Sequence, residues 1–91
     1  MELYYRNDQI IDGELDKNQV MMHIEKGKYF GLNPVGKRIW ELVEQPKSFE
    51  EITACLLLEF NVSEEQCQQE VRAFLEKGIK FDILKKDETD S

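Results

Sequence analysis

Gly27-Lys28-Tyr29-Phe30-Gly31-Leu32-Asn33-Pro34, running on to Ile39-Trp40-Glu41-Leu42, decides the fold of this 91-residue chain. Gly27 can take the positive φ that a two-residue hairpin turn with Lys26 needs. From Lys28 to Leu32 the side chains alternate, Tyr29 and Gly31 on one face and Phe30 and Leu32 on the other. Asn33 is a good helix N-cap, and Pro34 suits the first helical position, where its missing N–H costs nothing. A turn, an aromatic strand, a cap and an apolar helix therefore follow one another directly.

Working back from this stretch, short β-favouring pieces are separated by turn chemistry. Val20-Met21-Met22-His23-Ile24 pairs with Lys28 to Gly31 through the Lys26-Gly27 turn. A further strand begins at Leu3-Tyr4-Tyr5 or centres on Ile10-Ile11, and either choice gives a three-stranded antiparallel sheet. Working forward, the apolar period becomes helical. The first helix is expected over Pro34 to Glu44, with Trp40 as its packing anchor and Pro46 beyond its end. Ser48-Phe49-Glu50-Glu51 has capping-box form and opens a second helix carrying Ile52, Cys55, Leu56 and Phe60. Ser63-Glu64-Glu65-Gln66 repeats that form ahead of a third helix with the stripe Cys67, Val71, Phe74 and Leu75. Gly78 stands where a left-handed C-terminal cap is expected. Ile79, Phe81, Ile83 and Leu84 are apolar enough to fold back on the core as a short strand or turn. The expected fold class is α+β and winged-helix-like, an N-terminal three-stranded sheet followed by three helices. Residues 1–86 form one domain in this reading, and 87–91 a disordered polar tail.

Composition narrows the function. Hydrophobic residues at 41% and charged residues at 34% describe a globular chain rather than a disordered one. Cys55-Leu56-Leu57-Leu58 is stopped at once by Glu59, far short of a membrane span. Met1-Glu2-Leu3-Tyr4-Tyr5-Arg6 lacks the pattern of a secretory signal, so a cytoplasmic location is expected. Nineteen acidic against twelve basic residues leave a formal charge of −7, which argues against nucleic acid as partner. Cys55 and Cys67 sit in different helices without CxxC spacing, and read as small reduced hydrophobes rather than a metal site or disulfide.

Catalytic groups are scarce. His23 is the single histidine, and inside a strand it reads as a surface or edge residue rather than a lone base. Gly27 and Gly31 punctuate a strand and do not have phosphate-loop spacing. Glu50-Glu51 and Glu64-Glu65 fall in first helical turns, where they favour the macrodipole. No catalytic residue, cofactor or metal is expected. Two binding modes then compete. A winged helix could present its third helix to DNA, but Glu64, Glu65, Glu70 and Glu76 against Arg72 and Lys77 would repel phosphates. Alternatively, the strand Lys28–Gly31 lies at a sheet edge, where an extended peptide can add a strand.

The Gly27–Pro34 run leading into Ile39-Trp40-Glu41-Leu42 resembles the PqqD-like family, the peptide-recognition domains of pathways that modify ribosomally made peptides. The family pattern is Gly-Lys/Arg-Tyr-aromatic-small-Leu-Asn-Pro, then Ile/Val-Trp-Glu-Leu. The resemblance covers about Val20 to Leu84; the first twenty residues match poorly, and related sequences often carry an acidic residue where His23 stands. It implies a non-catalytic, monomeric binder of a precursor's leader segment, seated antiparallel along the third strand in a groove closed by the third helix. The candidate peptide-binding residues are Lys28, Tyr29, Phe30, Gly31 and Leu32, with Cys67, Glu70, Val71 and Phe74 across the cleft. Val71 and Phe74 suit the core equally well, and Phe30 and Leu32 read as the core-facing pair, which leaves Tyr29 for the peptide. Arg72 and Lys77 could meet an acidic leader or simply face solvent. The implied partners are the leader and a leader peptidase or other maturation enzyme. A lasso-peptide pathway is favoured; delivery to a radical enzyme in pyrroloquinoline quinone synthesis is the alternative.

Overall fold

The structure is a computed structural model that describes residues 2–15 and 18–88. Its elements run β1 (Glu2–Arg6), β2 (Ile10–Leu15), β3 (Asn18–His23), β4 (Lys28–Gly31), α1 (Pro34–Leu42), α2 (Phe49–Glu59), α3 (Glu64–Lys80) and β5 (Leu84–Glu88). The expected three-stranded antiparallel sheet is present in the order β2-β3-β4, followed by three helices. Both candidates for the first strand are strands. Ile10–Leu15 joins this sheet, whereas Glu2–Arg6 pairs with β5 in a second, two-stranded sheet.

That second sheet corrects the reading of the C-terminus. Asp87 and Glu88, assigned by sequence to a polar tail, pair with Leu3 and Glu2; residues 89–91 lie outside the described residues. β1 is held on its other side too, because Tyr4 and Lys47 exchange backbone hydrogen bonds of 2.7 and 2.9 Å. The β3–β4 hairpin also differs in detail. His23 pairs with Lys28, so residues 24–27 make a four-residue turn and not a two-residue one. Gly27 still takes the positive φ, +64°, and its N–H donates to the His23 carbonyl at 2.8 Å.

Each helix starts where its cap dictates. The Asn33 side chain accepts from the Gly36 N–H at 2.7 Å. Ser48 and Glu51 form both arms of a capping box, and those bonds hold the Glu51 carboxyl below its usual range. Ser63 accepts from Gln66 N–H at 3.1 Å, which is one arm of the expected second box. The core collects Ile39 and Trp40 from α1 with Val43 at its C-cap, Ile52 and Leu56 from α2, and Cys67, Val71 and Leu75 from α3. Ile10, Met21, Ile83 and Leu84 complete it.

Gly78 does not cap α3. The helix continues to Lys80, and the positive-φ residue is Asp82 at +60°. Ile83 N–H donates to the Gly78 carbonyl and Asp82 N–H to that of Ile79, the paired bonds of a Schellman motif with Asp82 in the left-handed place. Gly78 is needed for packing instead, since a Cβ there would lie 2.6 Å from Leu84 Cδ1 and 2.7 Å from its Cγ. Leu84 is buried and cannot give way freely. Gly78→Ala should therefore destabilise by about 1–3 kcal/mol in urea unfolding, although alanine is worth about 1 kcal/mol more than glycine in a helix. A more stable variant would show that Leu84 repacks at little cost.

Candidate functional site

β4 is the open side of the larger sheet: among the described residues no strand pairs with its outer edge. Leu32 N–H donates to the Gln19 carbonyl, and the antiparallel alternation then turns Lys28, Phe30 and Leu32 towards β3. The N–H and C=O groups of Tyr29 and Gly31 are left facing outwards. A strand edge with free donors and acceptors at two-residue spacing is a template for one more strand.

Beside this edge runs a groove of about 250 Å³ between β4 and α3. Phe30 and Leu32 wall it on the strand side, and Glu70, Ala73, Phe74 and Lys77 on the helix side. Met21, Ile39 and Ile83 contribute its apolar floor. Gly36 lets α1 close the end of the groove, because a Cβ at that position would sit 3.2 Å from Phe74 Cε2. The Phe30 and Phe81 rings meet at 5.5 Å, tilted by 46°, which ties the strand to the end of α3.

The sequence-derived residues divide between three places. Phe30, Gly31, Leu32, Glu70 and Phe74 line the groove. Lys28 and Tyr29 belong to the same strand but do not line it; the expected parity holds, with Phe30 and Leu32 packed against the core, and it is this inward pair, not Tyr29, that walls the groove. Tyr29 lies on the outer face, where cross-strand pairing sets it beside Met22 and Ile11, and it is 61% exposed. Phe30 and Leu32 point inwards, and inwards here means into the groove. Cys67 and Val71 are core residues, 2% and 0% exposed, and burial pushes the Cys67 thiol up from its ordinary value. Arg72 faces elsewhere, with its guanidinium 5.2 Å from the Phe49 ring centroid.

Ala73 and Gly36 were not among the candidate site residues, and of the pair offered to either an acidic leader or solvent, Lys77 lines the groove while Arg72 does not. The signal for the helix wall was nevertheless present. Cys67, Val71, Leu75 and Gly78 form one stripe of α3 and are all buried; Glu70, Ala73, Phe74 and Lys77 form the next stripe, at the spacing of one helix face. Mixing members of the two stripes produced the misplaced pair.

His23 is neither a surface nor an edge residue. It is 0% exposed, at the hairpin end of β3. Its Nδ1 accepts from Lys26 N–H at 3.3 Å, which leaves the proton on Nε2 to be donated to Asp82 Oδ2 at 3.3 Å. Asn7, buried beside them, donates to the Asp82 carbonyl at 2.7 Å. These bonds pin the Schellman turn, and with it the end of α3, to the β3–β4 hairpin. The bond from His23 is the main reason the Asp82 carboxyl titrates below its usual range. A carboxylate lowered in the folded state contributes stability that is present above its unfolded value of about 3.9 and is lost as pH falls through the folded one. Asn tolerates the same positive φ, so Asp82→Asn isolates this contribution. The urea midpoint of Asp82→Asn should lie below wild type at pH 6, and the gap should close below about pH 4. A gap that persisted undiminished at low pH would rule the carboxylate out as its source.

Among the described residues, no group of three His, Cys, Asp or Glu side chains is placed to hold a metal ion. The arrangement offers backbone pairing along one edge and an apolar slot with two charges beside it. Comparison with known proteins places that arrangement. The family model described as coenzyme PQQ synthesis protein D (PqqD) matches residues 18–80, more than half of the chain. No curated protein matches. Among solved structures, one described as TbiB1 in complex with the TbiA(beta) leader peptide is similar with a TM-score of 0.77 and 31% identity, over 94% of this chain and 99% of that one. A second, lasso peptide synthetase B1 complexed with the leader peptide, has a TM-score of 0.77 at 16% identity, over 90% and 96% of the two chains, and shares the fold. With its hairpin, capped helices and open β4 edge all inside the matched region or the shared fold, this chain belongs to the PqqD family.

Proposed function

We propose that this protein recognises the leader segment of a ribosomally made precursor peptide by adding it as a strand to β4, without catalysing a reaction. The observation that carries the reading is the unpaired Tyr29–Gly31 edge lying directly beside the Phe30, Leu32 and Phe74 slot. Main-chain bonds to the edge hold the leader in register and are blind to its sequence; apolar side chains entering the slot supply selectivity. The 31% identity to a chain solved with a leader peptide supports the ligand class. The leader-bound protein would then be handed to a leader peptidase and cyclase of a lasso-type pathway, a reading in line with the fold it shares with a lasso peptide synthetase B1 solved with its leader peptide. Delivery to a radical enzyme is the second reading, favoured by the description of the matching family model. The genes beside this one distinguish them, since a peptidase or a radical-enzyme frame next to a short precursor frame names the pathway.

The test is a titration of isotope-labelled protein with the leader of that neighbouring precursor. Amide shifts are expected at Tyr29 and Gly31 and along residues 70–77, with the precursor's mass unchanged by the protein alone. Shifts confined to α1 and α2, or cleavage of the precursor by the purified protein, would overturn the reading. Among the described residues no helix is long and apolar enough to cross a membrane, and we propose a cytoplasmic, monomeric protein.

A further inference from the structure

Of the side chains lining the groove among the described residues, two are charged: Glu70 and Lys77, of opposite sign, both on α3. Neither is in an ion pair among the described residues. Seven residues of helix separate them by about 10.5 Å along the axis, with Ala73 and Phe74 between. The direction of α3 against β4 follows from two contacts. Phe81, just beyond the end of α3, packs against Phe30. Phe74, about two turns earlier, meets the Gly36 position that Leu32 also approaches. The helix and the strand therefore run in opposite directions, with Lys77 towards the Phe30 end and Glu70 towards the Leu32 end.

We infer that Glu70 and Lys77 read the order of charges in the bound peptide, selecting a basic residue followed, four positions later, by an acidic one. The inference rests on the leader-binding reading. An added strand is favoured in the antiparallel sense, so it enters beside Leu32 and leaves beside Lys28, passing Glu70 before Lys77. Alternate side chains of that strand face the groove, and positions i and i+4 lie about 13–14 Å apart. The long Lys77 side chain spans the difference from 10.5 Å. Position i+2 then falls over Ala73 and Phe74, where an apolar residue fits. The opposite order sets like charges against each other at both ends.

Two synthetic peptides test this, each an alternating threonine–leucine host, one with lysine and then glutamate four residues on, the other with the two exchanged. The lysine-first peptide should bind about tenfold tighter at low salt, and the preference should shrink at half-molar salt. The double variant Glu70→Lys/Lys77→Glu, which keeps the net charge, should invert the preference; circular dichroism checks that it folds. Equal affinities for both peptides, or an unchanged preference in the double variant, would overturn the inference. If both peptides shift the Tyr29 and Gly31 amides equally, the charge reading falls while strand addition stands. If neither shifts any amide, the charge reading falls as well, and strand addition is judged on the native leader alone.

Discussion

Replacing Trp40 by alanine is expected to lower the stability of the domain by about 3–5 kcal/mol, a large part of the roughly 5–15 kcal/mol that holds an ordinary small protein together. The ring is 1% exposed and lies in the core that α1 shares with α2 and α3. It is also clamped from β1, because Arg6 donates from Nε to the Trp40 carbonyl at 2.9 Å and lays its guanidinium 4.4 Å from the ring centroid. Alanine would leave a cavity and strip Arg6 of its stacking partner. Phenylalanine should cost only about 1–2 kcal/mol, since Trp40 Nε1 is buried without a hydrogen-bond partner among the described residues and its removal relieves a desolvated donor. Urea midpoints at constant slope measure both. A Trp40→Ala midpoint near wild type would mean that the ring is accessible, and would make it a candidate for ligand contact.

The largest effect on binding is expected from Tyr29→Pro. The Tyr29 N–H faces the open edge and not β3, so proline removes a donor meant for an added strand while leaving the hairpin ladder intact. Leader affinity should fall at least about tenfold, the loss of a hydrogen bond together with the bulk of the ring carbons in its place, while the urea midpoint stays close to wild type. Tyr29→Ala should change affinity by less than about threefold, because the phenol projects from the outer face of the sheet, away from the groove. If the alanine variant loses as much as the proline variant, the side chain carries the binding and strand addition at this position is wrong.

What could be read from the sequence was local. Asn33-Pro34 and Ser48–Glu51 carry their instructions within four residues, and both helices begin where those residues say. The hairpin around Gly27 was legible for the same reason, down to its positive φ, although not its length. What was hidden depends on partners distant in the chain. Nothing in Leu3-Tyr4-Tyr5 announces that it pairs with residues 85–87. Gly78 carries the signature of a cap, and only the position of Leu84 reveals it as a packing gap. His23 could not be seen as buried without Asp82 and the turn that brings it back under the sheet. In the site, the inward face of the strand packs on the core as its alternation says, but that it also walls a groove was hidden, because a groove beside a core is lined by the same residue types as the core. On α3 the buried stripe and the groove stripe differ by about one residue of rotation, and Phe74 on the groove stripe is as apolar as its buried neighbours.

The pairing of β1 with β5 makes Glu2 and Glu88, the outermost described residues, neighbours. Glu2 stands opposite Glu88, and antiparallel partners lie only about 5 Å apart at their Cα atoms. Chain leading into Glu2 and chain leading out of Glu88 therefore meet the domain at the same spot. The same proximity makes the domain a natural subject for circular permutation. A short loop joining Glu88 to Glu2, with the chain opened between Asn61 and Ser63, would place α3 ahead of β4 in the chain. Both walls of the groove would remain uncut, and the order in which a ribosome delivers them would be reversed.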